Sequence, residues 1–146
     1  MNGTLSAAGT SYQDAAGNTY IEGATYTGTA TGTITGRFRA DLSVFTPAGS
    51  SSSRFWGSLV ISDDAKPSNV VFGAVAGDQA SATTGDSDTG RFTVDGGLGS
   101  YLNAHGTGSM QGVSTAALNA GGSITWTLNS APGQGPHPCR GKGQSD

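Results

Sequence analysis

The sequence offers few side chains for acid–base chemistry. It has one glutamate, Glu22, and two histidines, His105 and His137. In an alternating strand, Glu22 would share a face with Tyr20, Ala24 and Tyr26. A carboxyl group among aromatic and small side chains has a raised pKa, because desolvation disfavours its charged form, and it can then serve as a general acid. Glu22 is therefore the first catalytic candidate, with a solvated residue at a strand end as the alternative.

His105 is the second catalytic candidate, because His137 lies in a segment rich in glycine and proline. The glycine beside His105 allows a bulge in the chain, which leaves the direction of the imidazole open. The ring points either into the interior, where it could exchange protons, or into solvent at the edge of a turn, where it has no function.

The acidic and sulfur-containing residues do not form a recognisable metal motif. Asp86 and Asp88, with Asp78 nearby, have the spacing of a calcium loop but lack its downstream bidentate glutamate. We interpret them as a solvated turn. His137 and Cys139 supply only two of the four ligands that zinc requires. The sequence therefore predicts no bound metal and no cofactor.

Alternating threonines are the most regular feature of the chain. They would place one hydroxyl at every second position of a single strand over residues 19–35, at Thr25, Thr27, Thr29, Thr31, Thr33 and Thr35. Evenly spaced hydroxyl and methyl groups suit a repetitive partner such as a polysaccharide or ice. The alternative is an ordinary solvent-facing strand, because threonine favours strands in general.

Period-two alternation of apolar residues predicts an all-β fold. The expected strands are 2–8, 19–35, 36–45, 54–62, 68–76, 90–95, 104–113 and 123–129. The runs 54–62 and 68–76 are continuously apolar, as in strands covered on both faces. Residues 85–88 read as a turn, and 114–120 as one or two turns of helix. The inward residues would be Phe38, Leu42, Val44, Leu59, Ile61, Phe92, Val94, Ile124, Trp126 and Leu128.

About eight short strands predict a small antiparallel barrel, with a two-sheet sandwich as the alternative. The domain would span residues 1–130, followed by a flexible or extended tail over 131–146, where alternation ceases. The lone Cys139 in that tail would either form an intermolecular disulfide or remain an unpaired thiol.

Composition limits the classes of partner. Gly, Ser and Thr make up 61 of the 146 residues, charged residues are 12%, and the formal net charge is −3. This composition is typical of exported domains, so we expect a secreted or cell-surface protein whose signal peptide has been removed. The few scattered cations do not suit nucleic acid, and no apolar run reaches the ~18 residues that a membrane-spanning helix needs.

Residues 92–112 contain Gly96-Gly97, Tyr101, Ala104 and the run Gly106-Thr107-Gly108. In this pattern the segment resembles the late hairpin of the allene oxide cyclase-like and dirigent-like barrels. It implies a barrel that binds an apolar small molecule in its lumen and acts as a cofactor-independent cyclase, an isomerase or a guide for coupling reactions. Aromatic residues that could line such a lumen are Tyr20, Tyr26, Phe55, Trp56, Phe72, Tyr101 and Trp126.

Three functions follow from these observations. The first is an exported, non-catalytic binding or structural domain, which the shortage of acid–base residues favours. The second is the cyclase or isomerase that the resemblance implies. The third is a subunit of a homopolymeric surface or virion assembly, in which the first strand or the tail packs on another copy. A ligand-sized cavity would favour the second function over the first.

Overall fold

The computed structural model describes residues 1–81, 85–115 and 122–130. Most of these residues lie in strands, and their one helical element is a 3-10 turn at Gly99–Tyr101. None of them forms a helix long and apolar enough to cross a bilayer. The all-β prediction is confirmed. The nine strands are β1 (Asn2–Ala7), β2 (Thr10–Gln13), β3 (Thr19–Ala30), β4 (Gly36–Thr46), β5 (Ser52–Asp63), β6 (Val70–Ala80), β7 (Asp86–Leu98), β8 (Gly106–Thr115) and β9 (Ser123–Ser130).

All nine strands belong to one antiparallel sheet. From β3 to β9 each strand pairs with the next along the chain, as hairpin-length connections require. β1 pairs with both β9 and β3, and this double pairing closes a ring of eight strands. β2 pairs with β3 alone, over Thr19 to Glu22. The described strands thus form a single sheet rather than the two sheets of a sandwich.

The predicted inward residues do face the interior. Seven of the ten are buried, and the other three, Ile61, Val94 and Leu128, pack against them. The predicted core is therefore confirmed.

Large rings in this core lie directly over glycines on the neighbouring strand. A Cβ atom at Gly108 of β8 would come within 2.3 Å of the Phe92 ring of β7, and one at Gly77 of β6 within 2.7 Å of the Phe55 ring of β5. Because glycine has no side chain, it leaves room for an aromatic side chain from the next strand. A chain with so few large apolar residues can thus still cover its interior.

Two predictions about strand ends are wrong. β3 ends at Ala30, and residues 31–35 form the turn to β4, so no single strand carries all six threonines. Glycine at position 32, which has a φ of +126°, helps to make this turn. The residues predicted as a turn at 85–88 instead lie mostly in β7, which begins at Asp86. The sequence does not predict β2, because all four of its residues are exposed and show no alternation of buried and exposed positions.

The prediction that 54–62 and 68–76 are covered on both faces is also wrong. Trp56, Val60 and Phe72 lie on the outer face and are 47%, 37% and 40% exposed. A single-layer ring covers only its inner face, so outward apolar residues on β5 and β6 remain in solvent. The helical turn predicted over 114–120 is wrong for its first two residues, which belong to β8. The rest of that turn, 116–120, and the predicted tail, 131–146, lie outside the described residues.

Candidate functional site

A cavity of about 340 Å³ occupies one end of the ring. This open end carries the β3–β4 turn and the last residues of β9. Inward residues of β5, β6, β7 and β9 form the wall because alternation directs every second side chain inward. The described residues that line the cavity are Met1, Ala30, Thr31, Thr33, Ile34, Leu59, Ile61, Val71, Phe72, Gly73, Phe92, Thr93, Val94, Gly106, Trp126, Thr127, Leu128 and Ser130.

Trp126 is the largest buried residue of the cavity lining, and two side-chain contacts hold it in place. Its ring stacks on Phe55, with centroids 5.7 Å apart and an interplanar angle of 20°. Its indole Nε1 donates a hydrogen bond of 2.9 Å to Oδ2 of Asp88. Stacking and hydrogen bonding together fix the orientation of the indole, and a fixed flat surface suits binding without rearrangement.

Asp88 belongs to a buried polar cluster with Gln79 and Ser114. Ser114 Oγ donates to Oδ1 of Asp88 at 3.0 Å, and Gln79 Nε2 donates to the same oxygen at 3.2 Å and to Ser114 Oγ at 2.7 Å. Asp88 is 2% exposed. With the Trp126 indole, three donors reach one carboxylate, which compensates for its burial.

The interpretation of Asp88 as part of a solvated turn is therefore wrong. The alternation that places Phe92 inward also places Asp88 inward, four residues earlier on β7. That parity was present in the sequence, but an aspartate beside serines and glycines resembled turn chemistry more closely. Among the described residues, no group of three or more His, Cys, Asp or Glu could hold a metal ion.

Tyr26 lies close enough to this cluster for the charge of Asp88 to affect the pKa of its phenol. The side chain is 1% exposed. Burial, together with the negative charge of Asp88, raises the pKa of Tyr26 to about 12. The phenol is therefore neutral over the physiological range of pH.

The catalytic candidate Glu22 lies on the outer face. At Gly23, which has a φ of +75°, two residues of β3 face one of β4, and the pairing shifts between Ile21 and Ala24. This bulge leaves Ala24 and Tyr26 buried while Glu22 is exposed, so the prediction that they share a face is wrong. Glu22 Oε1 accepts a hydrogen bond of 3.3 Å from the Tyr12 hydroxyl. Desolvation and the nearby Glu22 carboxylate raise the pKa of Tyr12.

The second candidate, His105, is also exposed and lies outside the cavity lining. Its Nδ1 is 3.0 Å from the carbonyl oxygen of Asn103. Neither candidate therefore borders the cavity, and no Asp, Glu, His, Lys or Arg is among its described lining residues. The arrangement can hold an apolar group, but these residues supply no side chain for proton transfer.

The aromatic residues predicted to line a lumen are placed in three different ways. Trp126 borders the cavity with a buried side chain. Phe72 is also part of the lining, but its side chain is on the outer face of β6 and is 40% exposed. Tyr26 and Phe55 are buried in the core, outside the lining. The remaining three lie apart from it: Trp56 is exposed, Tyr101 is half-buried, and Tyr20 stacks on Tyr12 with centroids 4.9 Å apart.

The alternating threonines are split between strand and turn. Thr25 is buried, and its hydroxyl donates to Oδ1 of Asp41 at 2.6 Å. Arg39 also donates to that carboxylate, and this contact lowers the pKa of Asp41. Thr31, Thr33 and Thr35 lie in the β3–β4 turn, and the first two border the cavity.

Thr27 and Thr29 remain exposed on the outer face of β3. The register places Thr27 beside Thr4 of β1, and Thr125 of β9 lines the same shallow outer groove. The ring thus brings together hydroxyls from three neighbouring strands that lie far apart in sequence. The use of these threonines as a partner surface stays a prediction.

Comparison of the chain with protein-family models, with curated proteins and with solved structures gives no match.

Proposed function

We propose that this protein is a non-catalytic binding domain whose ring of strands closes as a barrel and whose open end takes up a small apolar molecule. The observation that carries the proposal is the cavity of about 340 Å³ with its largely apolar wall. Small-molecule sites generally measure about 300–1,000 Å³ and are lined by apolar side chains with a few polar groups. The resemblance of residues 92–112 to barrel proteins that hold apolar molecules supports the same function.

The lining supports binding without turnover. Proton transfer in catalysis needs a side chain that can gain or lose a proton within hydrogen-bonding reach of the substrate. No such side chain is among the described lining residues, and both Glu22 and His105 lie elsewhere. A cyclase acting by confinement alone would need a substrate that reacts without a general acid or base.

The low charge of the chain supports an exported protein.

The test uses the fluorescence of N-phenyl-1-naphthylamine, a neutral apolar probe. The chain has two tryptophans, of which Trp56 is 47% exposed and Trp126 is buried at the cavity. In a Trp56→Phe background, all indole emission comes from Trp126. We expect saturable probe binding with energy transfer from Trp126 to the probe, because Trp126 lines the cavity.

A cavity-filling substitution gives the matched comparison. Val94 lines the cavity, whereas Val113 is 51% exposed on the outer face of β8. Val94→Phe should weaken probe binding at least tenfold, while Val113→Phe should leave it unchanged. Circular dichroism establishes that both variants are folded. Equal probe affinity in the two folded variants would refute binding in the cavity.

A further inference from the structure

We infer that the ligand is an uncharged amphiphile that enters with its apolar part first and leaves one hydroxyl or carbonyl group at a rim of threonine and serine. This inference rests on the proposed function and adds the chemical class of the ligand. It follows from the distribution of polarity along the cavity, from the charges beside it and from its size.

Polarity changes with depth in the cavity. The buried members of the lining are all apolar, and they are Ala30, Leu59, Val71, Phe92 and Trp126. The polar members are all hydroxyl residues, and three of them, Thr31, Thr33 and Ser130, are exposed at the open end of the ring. Thr127 is exposed on the outer face of β9, because it alternates with the inward Trp126 and Leu128. A ligand that matches this gradient has an apolar body and one polar end.

The polar end should be neutral. A carboxylate or ammonium group drawn into an apolar cavity loses its hydration, which is costly unless an opposite charge pairs with it. No described lining residue has a charged side chain. The one charged group of the described lining is the amino group of Met1, which donates one hydrogen bond of 2.7 Å to the Trp126 carbonyl oxygen, and the comparison with decanoate below tests whether it attracts an anion. Hydroxyl side chains, by contrast, both donate and accept hydrogen bonds, and therefore suit an alcohol or a carbonyl.

The size of the cavity limits the length of the ligand. Its volume of about 340 Å³ lies near the lower end of the range for small-molecule sites. A medium-length alkyl chain or one small ring system suits this volume better than a long-chain lipid. Decan-1-ol and decanoate are suitable test ligands, because they share a ten-carbon chain and differ in the charge of the polar end.

The experiment measures how well each compound displaces N-phenyl-1-naphthylamine from the full chain at pH 7. Decan-1-ol should bind at least tenfold more tightly than decanoate. The double variant Thr31→Val/Thr33→Val should weaken decan-1-ol binding about fivefold, the value of a typical hydrogen bond, and leave affinity for the naphthylamine within twofold. Thr35→Val is the control, because Thr35 is exposed in the same turn but does not line the cavity.

The outcomes separate this inference from the proposed function. If the naphthylamine does not bind at all, the proposed function fails and the inference fails with it. If the naphthylamine binds but decanoate displaces it as well as decan-1-ol does, only the inference is overturned. Tighter binding of decanoate would assign recognition to the Met1 amino group instead of the rim. Unchanged decan-1-ol affinity in the double valine variant would also overturn the role of the rim.

Discussion

The two parts of the interior on either side of Trp126 differ in chemistry and in packing. On one side, Asp88, Ser114 and Gln79 form a buried polar cluster in which each side chain has a hydrogen-bond partner. On the other side, apolar residues surround unfilled space that opens at the ring's end. The indole takes part in both, through its Nε1 hydrogen bond and its face. One part of the interior is thus filled by hydrogen-bonded side chains, and the other keeps the space in which we propose that a ligand binds.

The largest effect should come from breaking the polar cluster. Asp88→Ala leaves the donors of Trp126, Ser114 and Gln79 without their acceptor, and hydrogen bonds to a charged group contribute about 1.5–3 kcal/mol each. Because the losses are not additive, we expect the free energy of unfolding to fall by about 4 kcal/mol, measured by urea denaturation. Asp95→Ala, at an exposed position of the same strand, should change it by less than about 0.5 kcal/mol. A loss below about 1 kcal/mol in Asp88→Ala would mean that the cluster does not stabilise the fold.

A smaller difference should separate two buried leucines. Leu42 is 1% exposed in the packed core, whereas Leu59 borders the cavity. Truncation of a packed leucine costs about 2–5 kcal/mol, and the cost rises with the empty volume that it creates. We expect Leu42→Ala to lower the free energy of unfolding by about 1 kcal/mol more than Leu59→Ala, because Leu59 already has empty space on one side. Equal losses would show that the cavity collapses around the smaller side chain.

The third effect appears only at alkaline pH. The pKa of Tyr26 is raised from 10.0 to about 12 in the folded protein, so the folded state retains the phenol proton where the unfolded state loses it. Its contribution to stability is therefore complete below pH 10 and is lost as the pH rises from 10 to 12, by on the order of 2–3 kcal/mol. Unfolding of wild type and Tyr26→Phe should be compared at pH 9 and at pH 11.5. The phenylalanine variant should lose less stability over this interval, and parallel curves would contradict the burial of the phenol.

Most of the fold was accessible from the sequence because alternation is a local property. Phe38, Leu42 and Val44 occupy one face of β4 whatever the rest of the chain does, and this predicted their burial. The same rule predicts that Phe92 and Val94 of β7 face inward. When it is followed back along that strand, it also places Asp88 inward. Turn-forming residue types around Asp88 indicate a solvated turn instead, and for that reason the sequence does not predict the buried polar cluster.

The sequence by itself determined the class of fold, the residues that face the interior and the scarcity of acid–base side chains. Only the tertiary structure decided which residues meet. The bulge at Gly23 turned Glu22 away from Tyr26, because one extra residue reverses the parity of a strand. The pairing of β1 with both β3 and β9 closed the ring and gathered Thr4, Thr27 and Thr125 on one face. The cavity depends on how far side chains from four strands reach across the interior, a distance that no local pattern contains.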